Sequence, residues 1–226
     1  MQNKLRKLEK KNLSSVAYEA IKKMIIDGQV KEGEILPESQ IAKALNMSRT
    51  PVREAIRKLE NEGVLKSIDG VGTLVSSITF KDILDIYEVR VALETKALKT
   101  SINNISKSEL EKLKVDIEKV AEKLEINEME AQAIKELYDL DTKLHELIIF
   151  ESDNEYIKKI MTDINFKIRR NRQTAYNNYE TSKASAIQHL EIVERILDKD
   201  YQAAAEAIEM HIYWSLRTVE RFMHRM

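Results

Sequence analysis

The run Ser48-Arg49-Thr50-Pro51-Val52-Arg53-Glu54-Ala55-Ile56-Arg57 decides how the first part of the chain folds. Ser48 suits a helix N-cap, and Pro51 falls in the first turn, where a missing N–H removes no helical bond. Val52, Ile56 and Leu59 recur at i, i+4 and i+7, the spacing of one buried helix face. Arg49 and Arg53, also four apart, share a different face. Upstream, Asn46-Met47 makes a tight turn after a short helix over 38–45 that buries Ile41, Ala42 and Leu45. Before that, Ser14 or Ser15 is expected to cap a helix with an apolar stripe of Val16, Ala20, Ile21, Met24 and Ile25, ended by Gly28. Downstream, Gly63 ends the third helix. The β-branched runs at 64–68 and 73–77 then flank Asp69-Gly70-Val71-Gly72, a hairpin signal. Helix, helix–turn–helix and hairpin in that order make a winged helix–turn–helix.

Such a unit reads duplex DNA with the first residues of its third helix. Arg49 and Arg53 sit there, and arginine is the side chain best matched to guanine O6/N7 and to phosphates. Ser48, Thr50 and the helix N-terminus add phosphate donors. Gly70 at the wing tip lets backbone approach a groove closely. Two arginines alone could be a solvated helix face; the whole run, set between a turn and a wing, favours DNA.

Glycine and proline mark where this unit ends. All five Gly and both Pro precede residue 73, and the 147 residues from Phe80 to Met226 contain neither. A segment that long without the two strongest structure punctuators suits an all-helical domain. Charge divides at the same place. Residues 1–78 carry 14 basic and 10 acidic side chains, the remainder 23 and 28, so the formal total of −1 sums a mildly basic part and an acidic one. The expected division is 1–77, with a basic tail over 1–11, and 78–226. The tail residues Lys4, Arg6, Lys7, Lys10 and Lys11 could reach DNA or be a disordered charged segment. The sequence holds no Cys, which excludes disulfide scaffolds, cysteine zinc fingers and thiol catalysis. No apolar run approaches the roughly 20 residues of a membrane span, and no secretory signal is evident, so a cytoplasmic location is expected.

Six helices are expected in the second part, over 80–101, 106–126, 129–150, 153–178, 182–198 and 201–224, as an antiparallel bundle. Ser106 with Glu109 makes a capping box, and Ser152 or Asp153 can start the fourth. Asp141 and His145 are i, i+4 among Leu137, Leu140, Leu144 and Ile148, an inward face. His189 and His211 lie on consecutive helices, equidistant from a tight turn at Asp198-Lys199-Asp200. In an antiparallel hairpin they stand at one height and can face each other. Asp141, His145, His189 and His211 can therefore converge. Three imidazoles and a carboxylate suit Zn²⁺ first, with Ni²⁺, Mn²⁺ or Fe²⁺ as alternatives. Hydrogen-bonded core histidines are the plainer reading. His224, near the terminus, reads as a surface residue, and Tyr213 and Trp214 as packing.

The stretch from Ile35 to Val75 closely resembles the DNA-binding domain of GntR-family bacterial transcriptional regulators, SRTPVREAI being the most specific part. The resemblance implies DNA contacts from Arg49, Thr50, Arg53 and Gly70. Many members have an arginine early in the second helix; here that position is Ser39. The second domain resembles the FCD ligand-binding domain of the FadR-type subfamily, in Tyr87-Glu88-Val89-Arg90 with Glu94, the D-T-K-L-H run at 141–145, the run from His189, and Met210-His211. That resemblance implies a divalent metal on one Asp and three His at the matching positions, with a small carboxylate metabolite beside it. Arg90 could pair with that carboxylate or form an ion pair with Glu94. Arg169, Arg170 and Arg172 could line the cavity or the surface. The expected protein is a cytoplasmic, homodimeric, metabolite-responsive regulator, most often a repressor in this family, reading a palindromic operator. A metal-dependent enzyme and a metalloregulator are the alternative readings.

Overall fold

The computed structural model describes the backbone of residues 2–126, 130–175 and 179–223, and side chains over 13–126, 131–170, 181–221 and 223. The chain divides into two units, Met1–Ile78 and Thr79–Met226.

The first unit runs α1 (Gln2–Ile26), α2 (Glu38–Ala44), α3 (Arg49–Asn61), β1 (Leu65–Ile68) and β2 (Gly72–Val75). Helix α1 starts at Gln2, not at Ser14 or Ser15. Its first dozen residues are mostly Lys, Leu, Gln, Arg and Glu, all good helix formers, with no Gly or Pro to interrupt them. Its buried face also differs from the expected stripe. Ala17, Tyr18, Ile21 and Ile25 are buried, whereas Val16 is 47% exposed. They pack against α3, whose Val52, Ala55, Ile56 and Leu59 are all buried. The Tyr18 hydroxyl donates to Glu62 at 2.7 Å, tying α1 to the end of α3. Leu45, expected inside, caps α2 half-buried, and Asn46 takes φ 51° to turn the chain.

The hairpin is antiparallel, with Leu65 opposite Val75 and Ile68 opposite Gly72. Its strands are shorter than the β-branched runs: Val64 and Ser76 exchange one bond at 3.0 Å beyond the ladder. Gly70 at the tip has φ +76°, and a Cβ there would meet no atom within 4 Å. Backbone handedness, not space, selects glycine at that position.

The second unit runs α4 (Phe80–Asn104), α5 (Lys107–Glu125), α6 (Glu130–Phe150), α7 (Glu155–Ala175), α8 (Tyr179–Leu197) and α9 (Tyr201–Met223). Thr79 and Asp82 form a reciprocal capping box for α4, and Ser106 accepts from the Glu109 amide at the start of α5. Helix α7 is capped by Asn154, whose Oδ1 accepts from the amides of Tyr156 and Ile157 at 3.1 Å; Ser152 instead accepts from the amide of Asn154. Helix α5 packs on α6 and α8, α4 on α9 and α6, and α8 on α9. Leu98, Leu110, Leu113, Ile117, Leu137, Leu144, Ile192 and Ile208 are fully buried between them. Leu113→Ala is expected to destabilise this unit by about 2–5 kcal/mol, read as a fall in melting temperature, because the bundle can collapse only partly around the void. No helix among the described residues is long and apolar enough to cross a membrane.

Candidate nucleic-acid interface and metal centre

Helix α3 is pinned by one face. Pro51, Val52, Ala55 and Ile56 are buried, which leaves Ser48, Arg49, Thr50 and Arg53 exposed at its N-terminal end. Ser48 holds the N-cap position but makes no side-chain cap bond. The free amides of the first turn and the positive end of the helix dipole therefore face outward, a ready anion site. Arg57 is exposed one turn beyond Arg53, and its i, i+4 spacing from Arg53 is the sequence signal for it. Arg53 is gripped by Glu38 of α2, with Nη2 at 2.9 Å from Oε2. Ser39 beside it is exposed and brings no cation.

In the helical unit, Asp141 and His145 of α6, His189 of α8 and His211 of α9 are all buried, and one ligand atom from each lies within 4.8 Å of the others. The antiparallel α8–α9 pair sets His189 against His211, with their Nε2 atoms 3.2 Å apart. Asp141 Oδ1 stands 2.9 Å from His189 Nε2, 3.2 Å from His145 Nε2 and 3.7 Å from His211 Nε2. Donors about 2.1 Å from a common centre are about 3.0 Å apart at a right angle and about 3.4 Å apart in a tetrahedron. The two 3.2 Å spacings fall between these values, and the 2.9 and 3.7 Å spacings lie just outside them.

Two neighbours fix the histidine tautomers. His145 Nδ1 lies 2.5 Å from Glu94 Oε2, and His211 Nδ1 lies 2.9 Å from Gln188 Oε1. Each oxygen accepts a hydrogen bond from Nδ1–H and leaves the Nε2 lone pair facing the cluster, as a metal ligand requires. His145 Nε2 is buried and makes no hydrogen bond among the described residues. Burial, then the neighbouring His189, push the His211 pKa down to about 3, so the ring is neutral and its lone pair available. This donor set fits a divalent cation.

Behind the cluster a charged line continues. Burial opposes ionisation of Glu94, but Arg90 and His145 outweigh it and hold the carboxyl at about 2. Arg90 Nε donates to Glu94 Oε1 at 2.6 Å. The ion pair does not exhaust the guanidinium: Nη1 and Nη2 are buried and have no hydrogen-bond partner among the described residues. Donors left that way are expensive, which marks this fork as a place for an acceptor. Arg169 and Arg170 are half-buried; the side chains of Arg172 and of the tail residues Lys4, Arg6, Lys7, Lys10 and Lys11, and His224, lie outside the described residues. Trp214 stacks on His211 at 6.1 Å and 27°, whereas Tyr213, expected to pack, is exposed on a groove of about 520 Å³ along α8 and α9. Two contributors escaped the sequence reading: Glu94 as the acceptor from His145, and Gln188.

The FCD domain family model matches residues 85–213, and the model for bacterial regulatory proteins of the gntR family matches residues 13–75. The uncharacterized HTH-type transcriptional regulator YdhC of Bacillus subtilis is 32% identical over 86% of this chain and 85% of its own length. The gluconate operon transcriptional repressor of the same organism is 33% identical over 66% of this chain and 58% of its own length. Among solved structures, the Zn²⁺-bound FCD domain of TM0439 superposes with a TM-score of 0.55 at 24% identity, covering 67% of this chain and all of that domain.

Proposed function

The chain belongs to the gntR family of bacterial regulatory proteins and carries an FCD domain, and from that premise we propose how this DNA-binding transcriptional regulator senses its signal. It acts as a cytoplasmic homodimer on a palindromic operator, each subunit presenting Ser48, Arg49, Thr50 and Arg53 of α3 and the Gly70 wing to one half-site. Asp141, His145, His189 and His211 hold one divalent ion, zinc first among the candidates. A small carboxylate metabolite binds beside it and changes operator affinity, with repression as the default output.

The observation that carries the metal reading is the pair of committed tautomers: Glu94 and Gln188 turn two Nε2 lone pairs onto one buried carboxylate. The zinc in the TM0439 domain supports that choice of ion, and the gluconate operon repressor supports the sign of regulation. A bound cation supplies Lewis acidity and open coordination positions for a carboxylate. Arg90 supplies the second grip: with Nε committed to Glu94, its Nη1/Nη2 fork matches carboxylate geometry. Effector and DNA are linked by a coupling of about 1–3 kcal/mol, which changes operator affinity roughly 5- to 150-fold.

The test is operator titration with apoprotein, metal-loaded protein, and metal-loaded protein plus a panel of small organic acids. An acid that shifts affinity only when metal is present supports the reading. A shift with metal alone and none with any acid would make the ion itself the signal. Arg90→Lys keeps the charge beside Glu94 but loses the fork. It is expected to leave metal content unchanged and raise the acid concentration needed for half-effect about tenfold, within the range of a charged hydrogen bond.

A further inference from the structure

Arg53 is held before any DNA arrives. Its Nε stands 3.3 and 3.2 Å from the two oxygens of Glu38, and Nη2 stands 2.9 Å from Oε2. Glu38 is the first residue of α2, and Pro37 before it fixes the approach of the chain. The two side chains are 54% and 31% exposed, so the contact adds little stability. What it changes is orientation. A guanidinium can grip paired acceptors along two edges: the side edge of Nε with one Nη, and the end edge of Nη1 with Nη2. Glu38 occupies the side edge. The end edge is left outward, and a guanine offers O6 and N7 as just such an acceptor pair. Charge changes too. An arginine alone would be drawn to any phosphate, whereas a carboxylate beside it repels phosphates and cancels the long-range pull. Arg49, exposed nearby, makes no ion pair among the described residues.

We infer that Glu38 is a specificity-determining positioning residue, which presents Arg53 end-on to a guanine and withholds it from phosphates. Part of the sequence discrimination then resides in α2, outside the helix that enters the groove. The inference rests on the assignment of α3 as the reading helix.

The experiment is selection from a randomised duplex pool by the wild-type chain, Glu38→Gln, Arg53→Ala and the double variant. Each protein is then titrated, across salt concentrations, against the enriched duplex and a scrambled duplex of equal length. Glu38→Gln is expected to lose preference at one base pair per half-site and to narrow the enriched-to-scrambled affinity ratio about tenfold. It binds the scrambled duplex more tightly, with a log K against log salt slope steeper by about 0.9 for each phosphate gained. In the Arg53→Ala background the same substitution adds nothing. Glu38→Gln that keeps the full motif, that weakens both duplexes in equal proportion, or that acts equally without Arg53 overturns the proposal. Arg53→Ala that keeps the wild-type motif overturns the reading helix itself, which separates the two failures.

Discussion

Arg53→Ala will abolish operator binding at concentrations where the wild type is saturated, and Arg49→Ala will do the same. Each arginine paired with a guanine contributes about 1–3 kcal/mol of discrimination. A twofold dimer presents each side chain twice, so one substitution removes two contacts. Affinity then falls by a factor between about 30 and about 10⁴. Both side chains are exposed on a helix whose opposite face is buried, so neither substitution disturbs packing. Melting temperature and metal content should stay at wild-type values while the gel shift disappears. A shift of wild-type strength in either variant removes α3 from the operator.

Removing the metal will lower the melting temperature of the helical unit by about 10 °C. An ion present at a thousand times its dissociation constant stabilises the folded state by about 4 kcal/mol, and each kcal/mol is worth about 2–4 °C at this size. Purified without chelators, the wild type should carry about one divalent ion per chain, as a four-ligand site implies. His189→Ala with His211→Ala should carry none and show no response to a chelator. Gln188→Ala gives a graded case. It deletes only the acceptor that orients His211, so affinity should drop about 10- to 100-fold with the site still fillable. A wild-type protein without metal, whose melting ignores the chelator, would reduce the cluster to hydrogen-bonded core histidines.

Local features of this architecture were legible in the sequence because they depend on short-range rules. Val52, Ile56 and Leu59 announce a buried face by spacing alone, and all three are buried. Gly63 and Gly70 punctuate where the chain must turn, and both have positive φ. The meeting of His189 with His211 could be read from their equal distance to a turn. What escaped depends on partners far away in sequence. Glu94 accepts from His145, 51 residues on, and nothing near either residue signals it; the visible pairing of Glu94 was with Arg90, one turn away. Val16 lies outside because the face of α1 is chosen by α3, which selects Ala17 and Tyr18 instead. The Thr79–Asp82 box escaped because its N3 residue is Asp, where the capping-box pattern has Glu or Gln.

Surface turns are where insertions and deletions usually accumulate without harm. The turn at Asp198-Lys199-Asp200, with Lys199 at φ 59°, joins two helices whose histidines meet only because each is counted from it. One residue added to α9 between the turn and His211 would swing that ring by about 100° and displace it by about 1.5 Å along the axis. Length in this hairpin is therefore a measuring device for the interior. Along a lineage, relatives that keep the cluster should keep the His189-to-His211 count even where every exposed side chain between them has drifted.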